Sequence, residues 1–253
     1  MEIVAVSNIK GGVGKTTTAV NLAYLAAASG RRTVVWDLDP QAAATYCLHG
    51  EPPEEIRAKR LVSGKSELTD FLAPTAYPDL YLVPADLSYR NFDLHLGERR
   101  HRTQRLLKMI RPLQESCEIL VMDCPPGISL LSENVLRAAE IVVVPMLPAP
   151  LSLRMLEQLL AFIAQEGWTD VRVLPFFSMV DRRKSLHAEI IDEARTRFPT
   201  LLTTEVPYWS EIERMSVRRA PLPAYAPRSA AGQVYESLWR EVAARLGGSG
   251  HPA

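Results

Sequence analysis

The chain opens with a short run of β-branched and small apolar residues, Met1 to Ser7 (MEIVAVS). The polar, glycine-rich turn NIKGGVG follows, and then the Ala/Leu-rich KTTTAVNLAYLAAASG. That order predicts strand, loop and helix, with Gly30 as the C-cap. Thr33 to Asp37 (TVVWD) is apolar at consecutive rather than alternate positions, as in a parallel strand covered on both faces, and completes a right-handed βαβ unit. The rhythm continues with strands expected at Tyr81–Pro84, Ile119–Asp123, Ile141–Pro145 and Val171–Phe177, and helices at about 99–116, 131–139 and 152–165. A helix near 185–197, a short strand near 203–206 and a last helix from about Ser229 to Leu246 close the pattern. Such alternation predicts an α/β fold: a doubly wound, mainly parallel sheet with helices on both faces. The irregular stretch Glu51–Ser66 (EPPEEIRAKRLVSGKS) reads as a surface loop or lid. Residues 1–246 are expected to form a single domain, with 247–253 (GGSGHPA) as a flexible tail.

Composition narrows the class. Hydrophobic residues make up 47% of the 253 positions and charged ones 23%, so one core can serve the chain. The 29 Lys and Arg balance 29 Asp and Glu, which excludes a uniformly basic nucleic-acid coat and an acidic tail protein. No uncharged apolar run is long enough to span a membrane, and the charged glycine turn arrives by Lys10, so no span and no signal peptide are expected. Cys47, Cys117 and Cys124 are odd in number and form no CxxC pair, pointing to a reducing, cytoplasmic setting. His49, His95, His101, His187 and His251 show no metal-ligand spacing.

The strongest chemical signal is Gly11-Gly12-Val13-Gly14-Lys15-Thr16-Thr17, preceded by Lys10. Glycines let successive backbone N–H groups converge on phosphate oxygens without Cβ clashes, and the following helix presents its positive N-terminus. Lys15 would neutralise the β- and γ-phosphates and the Thr16 hydroxyl would ligate Mg²⁺. A strand precedes the loop and a helix follows it, as a P-loop NTPase requires.

The loop reads KGGVGKTT, with Lys10 where glycine is usual. Here the sequence resembles the ParA/MinD family of deviant Walker A ATPases, most closely the ParA/Soj-type partition ATPases. The resemblance implies that Lys10 reaches across a nucleotide-sandwich homodimer to phosphates bound by the other subunit, so that dimerisation depends on ATP. Asp37-Leu38-Asp39-Pro40-Gln41 resembles the family's DxDPQ segment at the end of a strand. By that resemblance Asp39 guides the attacking water and belongs, with Thr16 and Asp123, to the Mg²⁺ site, while Asp37 is structural or supports it. Relatives often continue with Gly-Asn, where this chain has Ala42-Ala43. Ile119 to Pro126 (ILVMDCPP) resembles Walker B and its Asp-x-Pro-Pro turn, with Asp123 holding the Mg²⁺ hydration shell and Gly127 at a switch. Taken alone, an Asp ending an apolar strand also reads as a helix cap. Cys124 reads as a small, semi-buried neighbour and not a nucleophile.

A guanine site would show Asn-Lys-x-Asp after a late strand, whereas this chain has Ser178-Met179-Val180-Asp181. The missing Asn and Lys argue against GTP, and the resemblance implies ATP, the family's usual nucleotide. Glu205-Val206-Pro207 resembles the family's strand bordering adenine, which makes Met179 and Pro207 candidate base contacts.

Between Arg99 and Arg111 lie six Lys or Arg and no acid. At about 100° per residue, Leu106, Leu107, Met109, Ile110 and Leu113 fill one arc, and Arg100, Arg105, Lys108 and Arg111 the opposite one. This predicts an amphipathic helix whose basic face is either simply solvated or engages a partner. Resemblance to ParA-type relatives implies non-specific DNA binding by basic residues of the C-terminal half, here Arg218 and Arg219, joined into one stripe on dimerisation. No helix-turn-helix extension is expected. The expected function is a weak Mg²⁺-dependent ATPase switch, cytoplasmic and nucleoid-associated, stimulated by a ParB-like or cargo-adaptor protein and serving DNA segregation or positioning of a protein cargo. The alternative is a MinD-like membrane-associated regulator. The GGSGHPA end and the core-type stripe Val234, Leu238, Val242 and Leu246 speak against that alternative.

Overall fold

The computed structural model describes residues 1–48 and 58–247. In chain order the sheet strands are β1 (Glu2–Val6), β2 (Thr33–Asp37), β3 (Ala73–Pro74), β4 (Leu80–Val83), β5 (Ile119–Asp123), β6 (Ile141–Met146), β7 (Arg172–Val180) and β8 (Glu205–Pro207). They lie in the order β3-β4-β2-β5-β1-β6-β7-β8, and every pairing is parallel except that of the edge strand β3. Consecutive residues feed opposite faces. Ile3 and Ala5 enter one core with Trp36, Leu120 and Met122, while Val4 and Val6 enter a second core with Val35, Ile119 and Val121. The second core is covered by α1 (Lys15–Ala28) and by the last helix, Ala230–Ala243, whose Ala231, Tyr235, Leu238, Trp239 and Val242 are buried. Within the expected stripe of that helix, Val234 and Leu246 are only partly buried. No helix among the described residues is long and apolar enough to cross a membrane.

The doubly wound fold is as expected, and three local expectations are corrected. The 99–116 helix is broken into a 3-10 turn (Arg102–Gln104), a short helix (Arg105–Ile110) and a second 3-10 turn (Arg111–Glu115). His101 adopts a left-handed conformation before it (φ 56), and Pro112, which has no backbone N–H to donate, lies within the second 3-10 turn. Only the stretch Arg105–Ile110 is therefore α-helical. Leu106, Met109, Ile110 and Leu113 are buried as expected, but Leu107 is 41% exposed. Arg105 is likewise not on a free face, because its Nε donates to the Val62 carbonyl at 2.8 Å. In the Glu51–Ser66 stretch a helix covers Ala58–Ser63, with Ala58, Leu61 and Val62 buried at helical spacing. Residues 51–57 of that stretch, His49, His251 and 248–253 of the expected tail lie outside the described residues.

Candidate functional site

The parallel pairing brings the carboxyl ends of β1, β2 and β5 to one edge, where Asp37 pairs in register with Asp123 and Val6 with Asp123. This is where a doubly wound sheet builds its sites. The chain leaves β1 into the glycine loop, whose start is pinned by Asn8. Its side chain donates to the Pro145 carbonyl (2.7 Å) and accepts from the Lys10 N–H (2.9 Å). Gly12 and Gly14 have φ of 70° and 90°, which L side chains rarely adopt, and a Cβ on Gly14 would stand 3.2 Å from Ser178 Oγ. Gly14 is the N-cap of α1 and no side chain caps it, so the first N–H groups of the helix remain open to an anion.

Lys15 is buried and donates to the Lys10 carbonyl at 3.1 Å. Burial lowers its pKa, and Asp123 and then Asp39 pull the other way. Asp123 is fully buried, and neither of its carboxylate oxygens has a hydrogen-bond partner among the described residues. Burial, then the nearby charge of Asp37, raises its pKa well above the usual range, against the pull of the Thr16 hydroxyl beside it. Asp37 is also buried and is pushed up to about 6, chiefly by burial. Its own oxygens are used internally: Oδ1 accepts from Asp39 N–H (3.1 Å), and Oδ2 accepts from both the N–H and the hydroxyl of Thr45 (2.8 Å each). Asp39 is partly exposed, and its Oδ1 accepts from Gln41 N–H at 2.9 Å. Cys124 is fully buried and burial raises its thiol pKa, so it is no nucleophile.

Lys10, Gly11 to Thr17, Asp39 and Asp123 thus meet on one sheet edge. Met179 and Pro207 meet beside them, at a small cavity of about 30 Å³ also lined by Gly14, Thr17, Tyr208 and Trp209. Met179 bulges out of the β7–β8 ladder at φ 56. A 520 Å³ cleft shares Pro207, Tyr208 and Trp209 with that cavity and extends to Asp181, Arg182 and Arg183. Arg218 is exposed at the end of a short helix (Met215–Arg218). Arg219 is partly buried at the surface, with its guanidinium 4.5 Å from the centroid of the half-exposed Tyr46 ring. Asn8, Thr45, Tyr46 and Trp209 were not singled out from sequence. None of the four carries a signal in the sequence: Thr45 follows three alanines within a short helix, and each is apparent only through its contacts in the fold.

Among the described residues no three His, Cys, Asp or Glu form a metal-binding group. A site of one buried carboxylate and one threonine suits Mg²⁺, which takes few protein ligands and keeps its waters and phosphate oxygens.

The AAA domain family matches residues 1–167. The sporulation initiation inhibitor protein Soj of Bacillus subtilis is 30% identical over 249 residues, covering 96% of this chain and 98% of that protein. The chromosome partitioning protein ParA of Caulobacter vibrioides is 29% identical, covering 97% and 95%. Among solved structures, the Cyanothece McdA–ATP complex superposes with a TM-score of 0.84 at 20% identity, covering 96% of each chain, a likeness of fold. Sequence similarity that runs nearly end to end, on a loop led by Lys10, shows that the chain belongs to the ParA/MinD family, among its ParA/Soj-type partition ATPases.

Proposed function

We propose that residues 1–246 form one ATPase unit that binds Mg²⁺ and ATP, hydrolyses ATP slowly, and uses the cycle to segregate or position DNA or a protein cargo. The observation that carries this reading is Asp123, a fully buried carboxylate between Asp37 and the loop, with only the Thr16 hydroxyl and the Lys15 ammonium to offset its charge among the described residues. Leaving such a group unpaired is costly, so a cation with its water shell is the natural complement. Mg²⁺, when bound, supplies charge that offsets the phosphates and orders their oxygens. Thr16 and Asp123 would hold it. The N–H groups from Gly11 to Thr17, Val13 included, would cradle the phosphates, and Lys15 would leave the Lys10 carbonyl to meet them. Asp39, on the same edge and partly open to solvent, would orient the attacking water. Met179 and Pro207 would border the adenine.

Lys10 stands at the exposed mouth of the loop, consistent with a side chain that reaches the phosphates of a second subunit in an ATP-dependent homodimer. Arg218 would contribute to non-specific DNA binding through counterion release, which weakens steeply with salt. A ParB-like or adaptor protein would stimulate hydrolysis, and the protein would act in the cytoplasm on the nucleoid. The apolar stripe of the last helix is already spent on the core, so a MinD-like membrane role finds no support there. Gel filtration and DNA co-sedimentation of Asp39→Ala with Mg²⁺ and ATP test the reading. The expected result is a dimer that pellets with DNA, and a monomer that ignores DNA would refute it.

A further inference from the structure

The segment after β8 is tied to the nucleotide site from two sides. Asn21, fully buried nearly two turns into α1, accepts from the Leu222 N–H at 2.7 Å. Its side-chain amide donates to the Thr17 carbonyl (2.8 Å) and lies 3.1 Å from Met215 Sδ. The second tie is Arg219. Its guanidinium stacks on the half-exposed ring of Tyr46, and its Nε donates to the Tyr46 carbonyl at 3.0 Å. Arg219 itself adopts φ 48, a left-handed conformation that a residue with a Cβ keeps only when its surroundings hold it.

Tyr46 belongs to a five-residue helix, Ala43–Cys47, that begins directly after the Asp39 turn. Its N-cap, Ala42, is also left-handed (φ 52) and has no side-chain cap. The turn is thus held from within by Asp37, through Asp39 N–H and Thr45, and from without by Arg219 on Tyr46. Thr45 extends the inner hold by accepting from the Ala85 N–H at 3.0 Å. So short a helix cannot hold a strained start by its own hydrogen bonds, and the outer contact closes its far end.

We propose that Arg219 is a positioning residue of the ATP site. Clamped on Tyr46, it holds the strained turn that presents Asp39, so the surface segment carrying Arg214 and Arg218 sets the rate of hydrolysis. This rests on the ATPase reading above, and it assigns to Arg219 a task different from touching DNA.

The test is steady-state phosphate release by the full chain over a range of Mg²⁺-ATP, with no DNA present. Arg219→Gln and Tyr46→Ser are each expected to lower kcat by about three- to tenfold while KM for ATP stays within about twofold, the size of one stacked cation contact with its hydrogen bond. Tyr46→Phe, which keeps the ring, is expected to recover most of the rate lost in Tyr46→Ser. The double variant should be no slower than the slower single one, because both remove the stacking contact, and Tyr46→Ser keeps the carbonyl that accepts from Arg219 Nε. Arg219→Lys keeps the charge without the planar stack and should also be slow, and it serves in place of Arg219→Gln if that variant does not fold. Unchanged kcat in the single variants, or losses that multiply in the double, would overturn the proposal, and unchanged kcat together with weaker DNA co-sedimentation of Arg219→Gln, measured separately, would make Arg219 a DNA contact instead. If the wild-type chain releases no phosphate, the ATPase reading fails separately. The clamp is then read by amide hydrogen exchange at residues 39–46, where equal protection in wild type and Arg219→Gln overturns it.

Discussion

Beside the glycine loop the chain buries more acid than it neutralises: Lys15, Asp37 and Asp123 share one sheet edge, and neither oxygen of Asp123 makes a well-formed hydrogen bond among the described residues. On the late-strand side, around Pro207, Tyr208 and Trp209, polar groups satisfy one another. The Tyr208 hydroxyl donates to Glu213 at 2.8 Å, and the Tyr225 hydroxyl to the Glu211 carbonyl at 2.6 Å. The first region is electrostatically incomplete and the second is closed on itself. Chemistry on charged phosphates needs the former, whereas holding an uncharged base needs only shape and a stacking surface.

The comparison can be broken most severely at Lys15. Lys15→Ala should lower kcat/KM for ATP by about a thousandfold, as expected when a group that meets transition-state charge is lost. A loss under tenfold, measured by phosphate release, would mean that the loop does not carry the chemistry. Asp39→Ala should retain nucleotide affinity within a few-fold, followed by a fluorescent ATP analogue, and lose about a hundredfold in turnover.

The buried carboxylates also make a pH prediction. The pKa of Asp37 in the fold, about 6, lies above its ordinary value, so the native state holds the proton more tightly than the unfolded chain. Its contribution to stability is present below about pH 4 and is lost as pH rises through about 6. Urea midpoints of the metal-free protein in EDTA should therefore fall between pH 4.5 and 6.5, by up to about 2–3 kcal/mol in unfolding free energy. Mg²⁺ with nucleotide should flatten that slope, and a slope of opposite sign would show that the carboxylates are neutralised from within.

The smallest effect is expected on the late-strand side. Trp209→Ala should raise KM for ATP about fivefold with little change in kcat, because it removes stacking surface that substrate and transition state use equally. A comparable fall in kcat would show that the two sides are not separable.

Much of the architecture was legible because a parallel sheet buried on both faces leaves continuous apolar runs. The expected strand at 119–123 coincides with β5, and the expected helix at 185–197 has the bounds Ser185–Arg197. The loop was legible for a different reason: glycines and a lysine at fixed spacing answer a local demand, convergence of backbone N–H groups, that needs no distant residue. Where tertiary contacts decide, the pattern misled. Leu107 has the apolarity of a core residue, yet it lies at the margin of the arc that Leu106, Met109, Ile110 and Leu113 bury, and the packing leaves it exposed. Arg219 reads as one more surface cation, yet it lies on a ring 173 positions away.

From sequence alone came the order of elements, the phosphate loop and the acids that end two strands, since each is set by short-range backbone geometry and by burial pattern. Only the tertiary structure decided that Asp123 stands in register beside Asp37 with the Thr16 hydroxyl next to it, that Met179 leaves its strand beside the cavity at Pro207 and Trp209, and that Arg218 is exposed while Arg219 lies over the Tyr46 ring. Those outcomes depend on which strands and helices become neighbours. No local propensity specifies the partner of a side chain that finds it across the fold.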